Sequence, residues 1–386
     1  MTQILSSRRQ FLAASAALPF ALRSFAQAPT EPRWVFLGTG VQGIYRAPWN
    51  AATGELGAVE LAVATDRPTF LAMHPKLPLL YAGNEAAKGD GALTSFRVDT
   101  TQGTLKQVQQ VSSRGAGPCY VSIDRTGRSA FVADYAGGSM AAYALGPAGE
   151  ITDAGGLNCQ NNPSCGVLGP VKDRQEIAHL HCTTISPGND FVLVCDLADD
   201  AIEVFPIAPG KKALLGTPVR VQARVGSGPR HVVFHPNGRW VYCVHELDCT
   251  IDLYDWNVHG HKATMTLRQG STISTLTAGA AMAGNTGCEV LVSDDGRFIY
   301  TCTRGEDTIS VYRVDATTGL LTEQQRLSCG GKVPRIIAFD PSRKWLVSCN
   351  QNSGNVTVFA HETTTGHINE TPQTFGVDNP MFAQWI

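Results

Sequence analysis

Alternation of apolar and polar residues, interrupted by short turns, recurs along almost the whole chain. The segment from Pro229 to Glu246, PRHVVFHPNGRWVYCVHE, alternates with a period of two, turns at Pro236-Asn237-Gly238 and alternates again. This pattern predicts a β-hairpin. Five further segments repeat it, beginning at Pro68, Pro118, His181, Cys288 and Pro334.

Near each end of this repeated region lies a single predicted strand that lacks its hairpin partner. PMFAQWI, from Pro380, has the pattern of a first strand without its return strand, and RWVFLGTG, from Arg33, has that of a return strand alone. Joined, they make a seventh copy. A ring closed by pairing its terminal strands leaves no free strand edge. The sequence therefore predicts an all-β, seven-bladed β-propeller closed by its N- and C-terminal strands.

The composition is typical of many short strands joined by tight turns. The 386 residues include 39 Gly and 21 Pro, and 17% of them are charged. The formal net charge is −2 and no run of Lys or Arg is present, which argues against a nucleic-acid partner. Because a propeller grows by adding blades around one axis, we expect a single folded domain over residues 29–386.

The first 28 residues have the features of an export signal. Ser7-Arg8-Arg9-Gln10-Phe11-Leu12 is a twin-arginine signature, and an apolar run and the small-residue stop Ala26-Gln27-Ala28 follow it. We expect residues 1–28 to be a twin-arginine signal peptide, with the Tat export machinery as a partner during secretion. The mature protein would then be periplasmic and free of the membrane. An N-terminal membrane anchor or a chance apolar start is the alternative.

The chain contains 11 cysteines, which in an exported protein could form disulfides. Cys195, Cys302 and Cys349 occupy the same position of the repeat, which is typical of small buried apolar residues. Cys159 and Cys165 lie close together in the loop NCQNNPSC, and the sequence leaves open whether they form a disulfide. Neither a CxxC pair nor an HExxH motif is present, so we expect no metal site and no cofactor.

Hairpin register predicts where charged residues gather. Counted from the turn at Asn237-Gly238, Arg230 lies opposite His245 and Glu246. The same count places Arg304 beside Cys288 and Glu289, and Arg335 beside Asn350, at the same end of the propeller. Long charged side chains near the axis must pair with each other or bind a ligand.

The last residue of the second hairpin strand is polar in every copy. Short polar residues at strand ends commonly bond loop backbone, which is a purely structural explanation. The seven residues are Thr39, Asn84, Asp134, Asp196, His245, Thr303 and Asn350.

Histidines fall into two groups. His179 and His181 open the fourth hairpin and are either core residues or part of a site, whereas His74 and His235 lie in hairpin turns and are expected to be structural. Two stretches, 157–175 and 255–287, are longer than the repeat requires. Such insertions in propellers fall in loops and are commonly functional.

At these residues the chain resembles the seven-bladed propeller lactonase family, which includes bacterial 6-phosphogluconolactonases and the fungal carboxy-cis,cis-muconate cyclase. The resemblance covers nearly everything after residue 28 and implies the catalytic set His181, Arg230, Glu246 and Arg304. Thr303 and Ala178 depart from the family pattern, which usually has Asn and Pro there. The matching segments are AHLHCTTISP, GSGPRHVVFHPNGRWVYCVHELD, QGSTISTL, CEVLVSDDGRFIYTCTRGEDTISVY and KVPRIIAFDPSRKWLVSCNQNSGNVTVF.

The resemblance implies a metal-independent lactonase that hydrolyses a small, sugar-type lactone to its hydroxy acid. Arg230 and Arg304 would hold the carbonyl or a carboxylate, and Glu246 or His181 would move the proton. Further substrate-binding residues are expected at His179, Glu289, Arg335 and His245.

The same residue set would also suit a carboxymuconate-type cyclase or isomerase, and a propeller can equally be a non-catalytic binding module. Export favours an unphosphorylated lactone, because phosphorylated sugar lactones are cytoplasmic metabolites.

Overall fold

The computed structural model describes residues 33–86, 89–159, 166–209, 211 and 215–386. These residues form thirty β-strands in seven antiparallel sheets. None of the described residues forms a helix long and apolar enough to cross a membrane. The expected signal peptide and Cys165 lie outside the described residues.

Each sheet is one blade, and its strands follow one another outward from the axis. Blade 1 consists of β30 (Pro380–Trp385), β1 (Trp34–Thr39), β2 (Ile44–Asn50), β3 (Glu55–Leu56) and β4 (Glu60–Val63). Blade 2 consists of β5 (Pro68–Met73), β6 (Leu79–Asn84), β7 (Ala92–Asp99) and β8 (Thr104–Ser112). Blade 3 consists of β9 (Pro118–Ile123), β10 (Ser129–Asp134), β11 (Ser139–Leu145) and β12 (Ile151–Asn158).

The remaining four blades follow in chain order. Blade 4 consists of β13 (Leu180–Ile185), β14 (Phe191–Asp196), β15 (Ala201–Pro206) and β16 (Val219–Gln222). Blade 5 consists of β17 (Pro229–Phe234), β18 (Trp240–His245), β19 (Thr250–His259), β20 (Lys262–Leu267) and β21 (Ile273–Ser274). Blade 6 consists of β22 (Thr286–Val292), β23 (Phe298–Arg304), β24 (Thr308–Val314) and β25 (Leu321–Ser328). Blade 7 consists of β26 (Pro334–Phe339), β27 (Trp345–Asn350), β28 (Asn355–His361) and β29 (Ile368–Gly376).

The predicted closure of the ring is confirmed. Strand β30 pairs antiparallel with β1, so that Val35 lies opposite Trp385 and Leu37 opposite Ala383. The innermost strands contact one another in a closed cycle, β30, β5, β9, β13, β17, β22, β26 and back to β30. The seven-bladed propeller predicted from the repeat is therefore the fold of this chain.

Buried tyrosines join neighbouring blades at equivalent positions. The hydroxyl groups of Tyr81, Tyr242 and Tyr300 donate to glycine carbonyls in the outer turn of the next blade, at distances of 3.0, 2.7 and 2.9 Å. Each ring thus fills apolar space between two blades while its polar tip finds a partner. His74 and His235 are structural, as expected, because each Nε2 bonds a carbonyl in the next hairpin turn.

The cysteines at the shared repeat position are completely buried, as expected: Cys195, Cys302 and Cys349 have no exposed surface. Cys159 is disulfide-bonded. Because Cys165 is outside the described residues, its pairing with Cys159 stays a prediction.

Candidate active site

A β-bulge occurs near the start of the innermost strand of every blade. In blade 5, for example, Pro229 lies opposite His245 and His231 opposite Val244, which leaves Arg230 between two paired positions. Bulges redirect side chains and are common beside active sites. The bulged residues of the seven blades are Met381, Thr69, Cys119, His181, Arg230, the pair Cys288 and Glu289, and Arg335.

Several bulged residues line one cavity at this end of the propeller. Its volume is about 460 Å³, which suits a small molecule. Its lining includes the ion pair of Arg67 with Glu85 and the residues His181, Glu246, Arg304, Arg335, Arg174 and Tyr135. Because most of these side chains are charged or polar, the cavity suits a polar ligand.

Glu246 lies at the centre of the charged cluster. Its Oε2 atom is 2.9 Å from Nε of Arg230 and 2.8 Å from Nη2 of Arg304. Its Oε1 atom is bonded by Nη2 of Arg174. The carboxylate is almost completely buried, so these three guanidinium groups take the place of its hydration.

The electrostatics of the cluster keep Glu246 ionised. Burial by itself would raise the pKa of Glu246, but Arg304, Arg230, His181 and Arg174 outweigh burial and hold that pKa well below its ordinary value. A carboxylate stabilised in this way is a weak base. In the structure it neutralises the three guanidinium groups that surround it.

His181 lies between Glu246 and a second buried histidine, His231. Its Nε2 atom lies 3.9 Å from Oε2 of Glu246, which lines the cavity together with His181, and its Nδ1 atom lies 3.2 Å from Nε2 of His231. Burial, Arg230 and His231 together hold the pKa of His181 well below its ordinary value, despite the opposite effect of Glu246. His181 is consequently neutral near pH 7 and able to accept a proton.

Arg304 reaches the cluster because two blades approach each other closely at Gly287. A Cβ atom at Gly287 would lie 2.2 Å from the backbone oxygen of His245, so only glycine fits there. The Gly287 amide donates to the Glu246 carbonyl at 3.0 Å, and Nη2 of Arg304 lies 3.3 Å from the Gly287 carbonyl. Burial lowers the pKa of Arg304, but Glu246 more than compensates, so the net pKa is raised.

Arg335 differs from the other arginines of the cavity. Within the described part of the chain, its guanidinium group has neither a carboxylate nor a carbonyl partner, although it lines the cavity. Burial, Arg230 and Arg304 lower its pKa. Arg335 is therefore a cation whose hydrogen-bond donors are available to a ligand.

Arg174 and Tyr135 are cavity residues that the sequence did not reveal. Arg174 belongs to the long stretch 157–175, in which a functional loop was expected, and it bonds the Tyr135 hydroxyl at 3.2 Å as well as Glu246. The Tyr135 ring stacks on His179 with centroids 4.1 Å apart and planes within 5°. The repeat pattern could not identify Arg174, because the loop has no counterpart in other blades.

Of the eight expected site residues, the structure brings five together: His181, Arg230, Glu246, Arg304 and Arg335. The other three, His179, Glu289 and His245, do not line the cavity. His179 supports Tyr135 and bonds its carbonyl at 2.9 Å, and Glu289 bonds Nδ1 of His231 at 3.0 Å.

His245 is the largest departure from expectation. It is fully buried inside blade 5, where its Nε2 atom lies 3.0 Å from Oδ2 of Asp252. His245 is paired opposite Pro229 and not opposite Arg230. Its place in the cavity was wrongly expected, because the register count took no account of the bulge.

Other members of the polar strand-end ring also bond groups within the propeller. Asn84 accepts from Thr94, and Asn350 bonds the Cys329 carbonyl and Thr357. These residues thus follow the structural explanation. Among the described residues, no group of three or more His, Cys, Asp or Glu side chains is arranged to hold a metal ion.

Comparison with known proteins places this geometry in a family. The 6-phosphogluconolactonase of Bacillus subtilis is 26% identical over 347 residues, covering 90% of this chain and 95% of that protein. The 6-phosphogluconolactonase of Formosa agariphila is 27% identical over 358 residues, covering 89% and 95%. The solved structure of the periplasmic gluconolactonase of Pseudomonas aeruginosa is similar with a TM-score of 0.83 and 27% identity, covering 92% of this chain and 98% of that one. The family model for lactonases with a seven-bladed β-propeller matches residues 34–385, and the chain therefore belongs to that family.

Proposed function

We propose that this protein hydrolyses a small, sugar-type lactone to its hydroxy acid, in the manner of a 6-phosphogluconolactonase, in the cavity between His181 and Arg335. One observation carries the proposal. A neutral, buried histidine faces a cavity that also presents an unpaired arginine and an arginine-bound carboxylate. Ester hydrolysis needs this combination of a proton acceptor and fixed positive charge.

The proton acceptor in this mechanism is His181. Water attacks the lactone carbonyl carbon while Nε2 of His181 takes a proton from it. The ring C–O bond then breaks, and His181 returns the proton to the departing alkoxide oxygen. General base catalysis of this kind contributes about 10²–10⁴-fold in rate. Glu246 stabilises the transient imidazolium, from which it is 3.9 Å away.

Arg304 and Arg335 stabilise the negative charge that develops on the carbonyl oxygen. Both line the cavity, whereas Arg230 is 1% exposed and donates to Glu246 and to the Cys288 carbonyl. Arg230 therefore positions Glu246 and does not contact the substrate directly. A fixed donor aimed at a developing oxyanion is worth about 3–4 kcal/mol. Since lactones are activated esters, this set of groups is sufficient without a metal ion or cofactor.

The substrate class follows from export together with the relatives. A twin-arginine signal would place the protein in the periplasm, as the name of the Pseudomonas aeruginosa gluconolactonase states for that protein. An exported enzyme would meet glucono-δ-lactone more readily than its cytoplasmic phosphate ester. We therefore propose an unphosphorylated sugar lactone as the substrate.

The experiment is a comparison of two lactones by pH-stat, each corrected for spontaneous hydrolysis. We expect the protein to accelerate hydrolysis of glucono-δ-lactone, with a higher kcat/KM than for its 6-phosphate. Acceleration of the phosphate ester alone would reverse the assigned substrate. No acceleration of either lactone would contradict the proposed function.

A further inference from the structure

We propose that His231 and Glu289 are positioning residues, which fix His181 in the tautomer that leaves Nε2 free to accept a proton. The inference rests on the proposed function, because it assigns these two residues to His181 acting as the base. Neither His231 nor Glu289 contacts the cavity. They act through His181.

The three side chains form a continuous buried chain across consecutive blades. Oε1 of Glu289 lies 3.0 Å from Nδ1 of His231, and Nε2 of His231 lies 3.2 Å from Nδ1 of His181. Their residues are 7%, 4% and 3% exposed, respectively. The three belong to β22, β17 and β13, the innermost strands of blades 6, 5 and 4. They are neighbours because their strands lie side by side around the axis.

Hydrogen-bond chemistry assigns each proton in this chain. Oε1 of Glu289 is an acceptor, and it also accepts from the Val290 amide at 2.9 Å. Nδ1 of His231 must therefore donate to it. Nη1 of Arg230 lies 3.4 Å from Nδ1 and 3.2 Å from Nε2 of His231, so it faces both ring nitrogens and does not distinguish them. Because a neutral imidazole carries one ring proton, Nε2 of His231 holds the lone pair.

The tautomer of His181 follows from these assignments. Because Nε2 of His231 accepts, Nδ1 of His181 must carry its proton, and Nε2 of His181, the nitrogen nearer Glu246, holds the lone pair. The arrangement resembles a carboxylate that orients a catalytic imidazole, with a second imidazole inserted between them. When His181 is protonated, Glu289 stabilises the cation through His231.

Other charged or titratable groups also face this chain, and they bear on its pH dependence. Arg230 and Arg335 disfavour a cation on His181, and Glu246 favours one. The Cys119 thiol lies 3.9 Å from Nδ1 of His181 and donates to backbone carbonyls. Cys288 is also near His231. Glu289 is the carboxylate bonded to the far end of the chain.

The first test does not depend on catalysis. The protein would be produced with ¹⁵N-labelled histidine. Its ring signals would be assigned by comparison with the variants His181→Gln and His231→Gln, each of which lacks one signal set. Long-range proton–nitrogen spectra then report which ring nitrogen carries hydrogen. We expect both His181 and His231 to carry the proton on Nδ1 near pH 7. A proton on Nε2 of His181 would overturn the inference, whether or not the protein hydrolyses lactones.

The second test separates positioning from structure. Glu289→Gln removes the charge and should lower kcat by about 10–100-fold with little change in KM, the range seen for carboxylates that orient metal-bound histidines. The acidic limb of the pH–rate profile should move to lower pH, since the His181 cation loses its stabilising carboxylate. Glu203→Gln is the matched control, because Glu203 is equally buried but pairs with Arg220 in blade 4. An identical pH profile in Glu289→Gln and the unmodified protein would count against the inference.

A third test compares two replacements of His231, only one of which keeps a hydrogen-bond acceptor. His231→Gln retains an oxygen that can accept from Nδ1 of His181, whereas His231→Phe retains only the ring. We expect kcat of His231→Gln to exceed that of His231→Phe. Equal kcat values for the two variants would contradict the inference. If the tautomers are as expected but no lactone is hydrolysed, the proposed function fails and the positioning chain stands.

Discussion

Nε of Arg230 lies 2.9 Å from Oε2 of Glu246, and the two side chains are 1% and 4% exposed. They stand sixteen positions apart in the sequence, at the two ends of the hairpin formed by β17 and β18. The contact belongs to a cluster in which the Glu246 carboxylate forms ion pairs with Arg174, Arg230 and Arg304. Because a buried charge requires compensation, each member of the cluster depends on the others.

Replacement of Glu246 should therefore affect both stability and activity. Glu246→Gln leaves Arg174, Arg230 and Arg304 without their shared carboxylate, and breaking a buried pair in this way costs about 3–5 kcal/mol. Denaturant unfolding should show a loss of that size, and lactone hydrolysis should fall at least about 100-fold. An unchanged unfolding free energy would show that the cluster is not stabilising.

Replacement of Arg335 should have the opposite effect on stability. Its cation is disfavoured by burial and by Arg230 and Arg304, so Arg335→Met removes a repulsive charge from the cavity. We expect hydrolysis to fall by about 10²–10³-fold, while the free energy of unfolding stays equal or increases. Arg326→Met is a control, because Arg326 pairs with Glu306 and Glu323 on blade 6. A destabilised Arg335→Met protein would indicate a structural partner for Arg335.

The rate should persist into mildly acidic solution. The pKa of His181 is held well below its ordinary value by burial, Arg230 and His231, so His181 stays unprotonated and active as pH falls through about 6.5. We expect kcat/KM to decline only at lower pH, as His181 becomes protonated. Rates measured between about pH 4 and 8 test this, and half-maximal activity at or above about pH 6.5 would contradict it.

His245 should contribute to stability and not to substrate binding. Burial lowers its pKa, but Cys243 and Asp252 outweigh burial and raise that pKa to about 10. A raised folded-state pKa gives stabilisation that is complete below the unfolded value of about 6.5 and is lost as pH rises toward 10. His245→Gln should therefore lower the unfolding free energy near neutral pH and remove its decline in alkaline solution, with KM unchanged. A raised KM would return His245 to the substrate-binding set.

Sequence periodicity was sufficient for the fold but only partly for the site. Repeated hairpins and two complementary ends identify seven blades, because period-two alternation and turn residues are local properties. Register counting also gathered Arg230 with Glu246. The same counting misplaced His245, since it assumed one-to-one pairing and the bulge at Arg230 breaks that pairing.

Two residues of this region, Arg174 and His231, were not found from the sequence. Arg174 comes from a loop without a counterpart in other blades, and its contact with Glu246 spans 72 residues. His231 was overlooked because it follows Arg230 in a strand otherwise rich in apolar residues. A signal for it did exist. Polar residues occupy the bulge region of three successive innermost strands, as His181, His231 and Glu289.

The most direct measurement is proton release from glucono-δ-lactone near neutral pH, with the unmodified protein, His181→Gln and His235→Gln compared after correction for spontaneous hydrolysis. His235 is the matched control, because its Nε2 atom bonds the Gly296 carbonyl in a hairpin turn. We expect the unmodified protein and His235→Gln to accelerate proton release, and His181→Gln to be slower by about 10²–10⁴-fold. Equal acceleration by all three would contradict the assignment of His181 as the base, and no acceleration by the unmodified protein would contradict sugar-lactone hydrolysis itself.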